Sequence, residues 1–590
     1  MSIRHQKDIL FSALAAFVSA SLACIVLYDH FGNQRLIGNL DIWFYHWQAE
    51  DFRIWFSQEI LHHSDALYHG QIVYPVDNPS GYAGSSWALG LPYLLGYSLF
   101  QNTSLALLAV MVWIIGMNAA AAYGLSRSLR IDHLAALCVG CCWSLSQFMW
   151  ANIENINAFY AWPGLIALAL LIQLVRKHSL WAPNRKYAVA LGIGTMLTLQ
   201  LFASIYLLLF SCILLVGILI YRGIHRKKIV GLLQPLLITC IVFLCGFALY
   251  AFQRAPVPDY LFDADHLSAL KESIELHSIS FPKDYLRVNH HKGLGLEVLE
   301  NPWQQGARSA FFGFTPLIVL ALSVFLALRG GRYAVLRPYF LVLVGFILIS
   351  SGLQIQWFDY TLQSPIGVAS DFFPKLLVIR HWFRAHTVVI FISLLLGLLT
   401  LSILLDTSPY KRAILLAYIA LFMLENLSFN APQSLSLTTA KPPVELVQWN
   451  TQHPEASAIL LPSCPLPPDN VMRLRSPINQ VNREMIYGAW QTQLNLSVVN
   501  GGLAYYPPEL IPVGNAMCSC SQGDSLTASN MQNLVLESRK LHVDYILIHP
   551  KLSAKDDIAN NLEAWERYAL QDSSLATPNQ TGEFISIHLQ

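Results

Sequence analysis

The sequence predicts a mainly α-helical, polytopic membrane protein: a bundle of about eleven crossing helices, one re-entrant or interfacial segment, and a C-terminal soluble α/β domain. Three observations support this prediction. Only 12% of the 590 residues are charged, about half the share in ordinary soluble proteins. Apolar runs approaching the roughly 20 residues that a bilayer requires recur as far as residue 425. The sequence beyond is less apolar, and it contains both strand-like runs and helical periodicity.

The predicted spans are separated by short polar loops. The run between Lys186 and Arg222 has no charge and is too long for one helix, so we divide it near Gln200 to Ser204. The first segment has the basic start of a signal peptide, but apolar sequence continues beyond Cys24, and we expect it to remain as a span. The spans are predicted at 9–28, 104–126, 133–150, 157–176, 187–202, 203–221, 229–251, 309–328, 335–352, 385–405 and 410–425.

Basic loops predict the orientation, because short loops rich in Lys and Arg stay in the cytoplasm. They alternate with the other loops only if the segment Ser85 to Phe100, which contains Gly and Pro, does not cross. We therefore expect a multi-pass protein of the cell inner (plasma) membrane with a cytoplasmic N-terminus. Residues 1–425 would form the membrane domain, and 426–590 a periplasmic or extracellular α/β domain. The large outside loops are predicted at 29–84, 252–308 and 353–384.

The predicted spans contain almost no ionisable residues, whereas transport pathways usually carry carboxylates, histidines or arginines within the membrane. Here such groups collect in the outside loops, beside the ends of spans. This placement favours chemistry at the outer face, on a lipid-linked substrate whose head group lies there. The net charge of +1 indicates no nucleic-acid partner.

Several short motifs follow this pattern of loops. They are Asp41-x-Trp43-x-x-x-Trp47 after the first span, Tyr74-Pro75 with Gly90-Leu-Pro92, Arg380-x-x-x-Arg384 before a late span, and Val499 to Pro507 in the tail. Together they resemble the C-type (GT-C) glycosyltransferases, which include oligosaccharyltransferases and transferases that use lipid-phosphate sugars. The resemblance covers most of the chain as architecture. It implies an enzyme with a polyprenyl-phosphate sugar as donor.

Glycosyl transfer from a lipid phosphate needs a base for the acceptor hydroxyl and cations for the leaving phosphate. On the resemblance, Asp41 is the expected base and Glu154, in the second outside loop, the second catalytic carboxylate. Arg380 and Arg384 offer forked donors for a phosphate, although the same spacing suits lipid head groups. The expected substrate-binding residues of the first loop are Trp43, Trp47, Glu50 and Asp51, of which the two carboxylates also suit a solvated surface.

Metal and cysteine chemistry stay open at this stage. The sequence lacks a clear Asp-x-Asp pair, so a divalent cation is a possible cofactor only. The pairs His62-His63 and His290-His291 have no further ligand at a diagnostic spacing, which favours surface histidines. In an oxidising compartment, Cys464 could form one disulfide, with either Cys518 or Cys520.

These inferences predict a membrane glycosyltransferase that acts at the outer face. It would transfer a sugar from a lipid-linked donor to a glycan, a glycolipid or a protein. One alternative is a non-catalytic protein of the same architecture in envelope polysaccharide assembly. The other is a transporter or flippase, which the nearly charge-free spans disfavour.

Overall fold

The structure is a computed structural model, and it describes most of the chain. Five of the predicted site residues lie partly or wholly outside it: Glu154 and Arg380 altogether, and Asp41, Trp43 and Asp51 beyond their backbone. The described residues are 3–33, 41–56, 87–153, 155–226, 230–253, 263–279, 284, 313–357, 360–379, 381–426, 442–465, 484, 487–488, 490–491, 494, 496–500, 507–521, 527–548, 567–568, 579–581 and 584–589.

Helices dominate the described residues up to 426. Short turns of helix lie between the longer ones, at Tyr28–Gly32, Gln147–Ala151 and Ile156–Phe159. The longer helices in this part are α1 (Ile3–Val26), α2 (Asp41–Trp55), α3 (Trp87–Phe100), α4 (Thr103–Ser128), α5 (His133–Ser144), α6 (Trp162–Lys177), α7 (Pro183–Ala203), α8 (Ile205–Arg226), α9 (Leu233–Gln253), α10 (Ala264–His277), α11 (Phe314–Arg329), α12 (Arg337–Ser350), α13 (Pro365–Phe372), α14 (His386–Leu404) and α15 (Lys411–Asn426).

A helix lies at each of the predicted spans, and the protein is a multi-pass membrane protein. Within the described residues, six helices are long and apolar enough to cross a bilayer. The charge-free run divides where expected, because Ser204 is extended between α7 and α8, and its hydroxyl accepts a hydrogen bond from the Leu207 amide. The span predicted at 133–150 is interrupted instead, since α5 ends at Ser144 and the chain resumes helix only at Gln147.

The segment predicted not to cross forms the helix α3. Its 14 residues measure about 21 Å, less than the roughly 30 Å hydrocarbon core of a bilayer. A Cβ on Gly96 would lie 3.0 Å from the carbonyl oxygen of Ala106, so only glycine allows α3 to approach the start of α4 this closely. The length agrees with a re-entrant or interfacial segment, which stays a prediction.

The described tail combines a sheet with helices. Strand and helix positions follow the sequence pattern, because apolar runs such as Ser457–Leu461 are fully buried in the sheet. The sheet has five strands, in the order Ser497–Val498, Ser457–Leu461, Tyr545–Ile548, Phe584–His588 and Asn579–Thr581. The first three in this order are parallel to one another, and Phe584–His588 is antiparallel to both of its neighbours. The elements are α16 (Val444–Gln452), β3 (Ser457–Leu461), β4 (Ser497–Val498), α17 (Ile511–Ser521), α18 (Ala528–Lys540), β5 (Tyr545–Ile548), β6 (Asn579–Thr581) and β7 (Phe584–His588); the hairpin strands β1 (Gln354–Trp357) and β2 (Tyr360–Gln363) precede them.

The chain forms two compact units, and they do not divide it simply into front and tail. The first unit contains Met1–Asn33, Leu108–Tyr250 and Leu270–Gln433, which include most of the apolar helices. The second contains Gln34–Leu107, Ala251–Ala269 and Ser434–Gln590. The first outside loop therefore belongs to the same unit as the tail.

One disulfide joins Cys464 to Cys518, with their Cα atoms 4.2 Å apart. This resolves the two pairings that the sequence leaves open. Cys520 stays a free, buried thiol, and burial raises its pKa to about 12. It is therefore protonated and unreactive near neutral pH.

Candidate functional site

The first outside loop opens with the helix α2, which carries several of the predicted site residues. Asp41 is its first residue. The side chains of Asp41, Trp43 and Asp51 lie outside the described part of the chain, so the structure defines only their positions on the helix. Trp47 and Glu50, the other two, are fully described and buried.

Glu50 holds α2 against α3. One carboxylate oxygen of Glu50 accepts hydrogen bonds from Nε and Nη2 of Arg53, at 3.0 and 2.8 Å. The other accepts one from the hydroxyl of Tyr93 on α3. The Arg53 guanidinium also stacks over the Tyr97 ring, 4.5 Å from its centroid. We call Glu50, Arg53, Tyr93 and Tyr97 the Glu50 cluster.

The opposite charges of the Glu50 cluster are paired with each other. Glu50 is 3% exposed, and both of its oxygens have donors. A buried carboxylate with an arginine and a hydroxyl on its two oxygens is well compensated. This arrangement favours a positioning role for Glu50, and its predicted contact with substrate stays untested.

Trp47 anchors α2 in the core of the tail. It is 2% exposed and belongs to the same buried cluster as Trp449 and Trp490. A Cβ on Gly488 would lie 3.9 Å from the Trp47 ring, which is ordinary packing distance. A ring enclosed in this way has little surface left to stack on a sugar. The helix that begins with Asp41 is thus built into the α/β core.

His46, one residue before Trp47, is also buried. Burial lowers the pKa of its imidazole, and the nearby Arg53 charge acts in the same direction, while the Glu50 charge opposes them. The imidazole is therefore neutral near pH 7. In this unit the described polar groups are arranged to hold α2 in place.

Arg384, in the other unit, has a different environment. It lies in the short helical segment Trp382–Ala385 just before α14, and it is 3% exposed. Its guanidinium stacks over the Tyr206 ring at 4.4 Å, and the His381 ring lies 5.9 Å from the same tyrosine. Among the described residues, the buried Nε of Arg384 has no hydrogen-bond partner. A buried cation without a carboxylate is costly unless it has an anionic ligand.

A large apolar cavity begins beside this arginine. Its volume is about 690 Å³. Leu207, which follows Tyr206, and Thr387, less than one turn after Arg384, both line it. From Leu207 the lining continues along α8 to Tyr221, a distance of about 21 Å at 1.5 Å per residue. The lining is therefore long enough to accommodate an extended hydrocarbon chain.

Two buried amides hold the irregular backbone a few residues after Glu154, where the short helix Ile156–Phe159 leads into α6. Asn118 donates to the Phe159 carbonyl at 2.6 Å and accepts from the Ala161 amide at 3.3 Å. Gln200 donates to the Tyr160 carbonyl at 2.9 Å and accepts from the Gly164 amide at 3.0 Å. Irregular backbone inside a membrane protein needs such partners, because no water is available to replace them.

Sequence reasoning missed Tyr206, Tyr93 and Arg53 as members of these sites. Arg53 had a signal, since it stands three residues after Glu50 on a helix and can reach it. Tyr206 had only a weak one, its place just after the division of the charge-free run. No group of three metal-ligating side chains occurs within the described residues.

No family model matches this chain, and no curated protein does either. Solved structures do match. The arabinofuranosyltransferase AftD from Mycobacteria matches all of this chain and 40% of its own, at 13% identity and a TM-score of 0.52. This chain has the GT-C fold. The predicted resemblance is confirmed at the level of the fold, and the chain spans less than half the length of AftD.

Two weaker matches are also transferases of this GT-C fold. The oligosaccharyltransferase AglB from Archaeoglobus fulgidus, solved with an inhibitory peptide and a dolichol-phosphate, is 12% identical with a TM-score of 0.45, over 93% of this chain and 70% of its own. ArnT from Cupriavidus metallidurans, bound to undecaprenyl phosphate, is 10% identical with a TM-score of 0.38, over 99% and 98%. At such scores these two carry no further argument.

Proposed function

We propose that this chain is a membrane glycosyltransferase which moves a sugar from a polyprenyl-phosphate donor to a glycan, glycolipid or protein acceptor. The observation that supports this best is Arg384, a buried cation without a carboxylate partner among the described residues, beside a long apolar cavity. A polyprenyl phosphate has the complementary parts: an anionic head and an extended apolar chain. The fold agrees with this activity, since AftD is an arabinofuranosyltransferase.

In the proposed reaction, Asp41 takes the proton of the acceptor hydroxyl as it attacks the anomeric carbon. The bond from that carbon to the phosphate oxygen breaks, and the lipid phosphate leaves as an anion. Arg384, with Arg380 close by in sequence, stabilises the charge that develops on the phosphate. Glu154 serves as the second carboxylate, and the buried amides of Asn118 and Gln200 position the loop that carries it.

The placement in the membrane completes the proposal. The predicted eleven crossings, with the N-terminus inside, would put the first loop, Arg384 and the tail on the outer face of the cell inner membrane. The tail would then select the acceptor. A divalent cation remains an alternative means of neutralising the phosphate, and no step above requires it.

The test is transfer by the purified chain in nanodiscs. A panel of undecaprenyl-phosphate pentoses and hexoses serves as donor, a membrane extract as acceptor source, and release of undecaprenyl phosphate is measured by mass spectrometry. Asp41→Asn should lower the rate by roughly 10²–10⁴-fold, the usual contribution of a general base. The matched control is Asp263→Asn, because Asp263 is an exposed carboxylate of another outside loop.

The outcomes separate the alternatives. If Asp41→Asn keeps the wild-type rate, Asp41 is not the base. If the wild type consumes no donor, the non-catalytic alternative is favoured over the enzyme. Activity that disappears with EDTA and returns with Mg²⁺ or Mn²⁺ would assign the phosphate charge to a metal, whereas unchanged activity would leave it to the arginines.

A further inference from the structure

A β-hairpin connects α12 to α13, and its two faces differ sharply. The strands β1 and β2 are antiparallel, with Ile355 opposite Leu362 and Trp357 opposite Tyr360. Because side chains alternate along a strand, these four residues share one face. The opposite face carries only polar residues, namely Gln354, Gln356, Thr361 and Gln363.

The polar face carries the side-chain hydrogen bonds that join the hairpin to its unit, although Gln356, Thr361 and Gln363 are themselves exposed. Gln354 donates to Glu275 of α10 at 2.9 Å, and Gln363 donates to Asp371 of α13 at 2.6 Å. Asp371 in turn lies 3.9 Å from the ammonium group of Lys271. The described charged groups Glu275, Asp371 and Lys271 therefore lie on the polar side of the hairpin.

The apolar face is exposed instead. Trp357, Tyr360 and Leu362 keep 47%, 74% and 62% of their surface exposed. The following helix adds Phe372 and Phe373, which are 76% and 67% exposed. A two-stranded hairpin is marginally stable in water, and an apolar patch of this kind normally contacts another surface.

The chain geometry indicates which surface this is. Gln354 follows Ser350, the last residue of the span α12, by four residues, so it lies within about 14 Å of the end of that span. The Ser364 amide, just after the hairpin, donates to the Leu353 carbonyl at 2.9 Å and fastens the base of the hairpin there. The hairpin therefore lies close to one end of α12, a predicted span whose surface includes exposed apolar residues such as Leu341, which is 70% exposed.

We infer that this hairpin is an interfacial anchor, which inserts its apolar face into the boundary between head groups and acyl chains of the adjacent leaflet. Trp357 and Tyr360, paired at the outer end of the hairpin, are the residue types enriched at that boundary. A wholly apolar strand face with three of its four residues exposed is the reverse of what a hairpin in water needs. The anchor does not depend on the proposed activity.

The test uses an environment-sensitive fluorescent amino acid, incorporated into the full chain at Leu362 or, as the matched control, at Thr361. Both positions are exposed on the same strand, but they point to opposite faces. In nanodiscs, the probe at 362 should emit at shorter wavelength and be quenched by lipids with a nitroxide near the head group. The probe at 361 should be quenched by aqueous iodide and little by those lipids.

Two outcomes would overturn the anchor. Equal iodide quenching at 361 and 362 would place the apolar face in water. If neither iodide nor nitroxide lipids reach position 362, a protein surface covers it instead of the membrane. Positions 360 and 363 repeat the comparison if either first variant fails to give a monodisperse protein in size-exclusion chromatography.

Discussion

Each of the two units contains an arginine stacked on a tyrosine, half-buried in the case of Arg53 and buried in the case of Arg384, and the two pairs have opposite surroundings. Arg53 lies 4.5 Å from the Tyr97 centroid, and Arg384 lies 4.4 Å from that of Tyr206. The two stacking distances are nearly identical, so both pairs gain the same type of cation–π interaction. What differs is the anion: Arg53 has the Glu50 carboxylate at 2.8 Å, whereas no described carboxylate lies within ion-pair distance of Arg384.

This difference separates a structural arginine from one that is available to a ligand. The Arg53 charge is neutralised within the protein, so the pair stabilises the fold and holds α2 on α3. Among the described residues the Arg384 charge has no such compensation, and burying an uncompensated charge costs free energy. An anionic ligand would recover that cost on binding, and this is the basis on which we propose Arg384 as the residue that binds the donor phosphate.

The largest effect should come from Arg384→Gln. If Arg384 binds the donor phosphate, losing hydrogen bonds to a charged group costs about 1.5–3 kcal/mol, roughly a 10- to 100-fold loss of affinity. Its thermal unfolding midpoint should change little, because no described partner is left unpaired. Binding of undecaprenyl phosphate in nanodiscs is measured by native mass spectrometry, and unfolding by differential scanning fluorimetry.

The control for this variant is Arg185→Gln. Arg185 also stacks on an aromatic ring, that of Trp181, at 4.6 Å, but it is exposed, and no residue between Arg176 and Leu207 lines the cavity. Its loss should leave binding of the lipid phosphate at the wild-type level. Equal losses in both variants would mean that only overall charge matters, and Arg384 would have no special role.

Arg53→Gln should behave in the opposite way. It leaves Glu50 buried without its ion pair and without the two hydrogen bonds from Arg53, so the free energy of unfolding should fall by at least about 1.5–3 kcal/mol, while affinity for undecaprenyl phosphate stays unchanged. Tyr93→Phe should give a smaller loss of the same kind. An Arg53→Gln protein with unaltered unfolding but weakened lipid binding would contradict the division between the two arginines.

The same distinction between a structural and a functional role can be tested at a neutral residue, Gln200. Gln200→Leu leaves one carbonyl and one amide of the irregular backbone without partners, and each such group costs about 1–3 kcal/mol. If the loop also positions Glu154, kcat should fall more than the affinity for the lipid phosphate does. Gln200→Glu keeps the acceptor for the Gly164 amide and should rescue part of both losses. A variant that loses stability alone would limit Gln200 to a structural role.

The smallest effect concerns pH and should be confined to the unit that holds His46. Burial lowers the pKa of His46 below its ordinary value of 6.5, so the unfolded chain binds the proton more readily than the folded one. The stabilisation is complete above pH 6.5 and is lost as the pH falls through the folded pKa. Unfolding followed from pH 7.5 to 5 should therefore be less pH-dependent in His46→Gln. An unchanged profile in that variant would assign the dependence to other groups.

The sequence by itself determined the elements of the membrane part. Apolar length and the absence of charge are local properties of the chain, and the bilayer imposes them segment by segment, so helices lie where the pattern predicts them. The interruption near Ser204 and the strand at Ser457–Leu461 followed from the same kind of local signal. The motif with Arg384 was found in the same way, but the sequence did not show that Arg384 would be buried beside a cavity.

Only the tertiary structure decided which charges are neutralised. Arg53 and Arg384 are the same residue type in similar aromatic sequence, but Glu50 stands one helical turn from the first and no described carboxylate reaches the second. Tyr93 meets Glu50 across 43 residues of sequence, and Cys464 meets Cys518 rather than Cys520 across 54. Such pairings depend on the packing of distant segments, and a pattern read along one chain contains no distances between them.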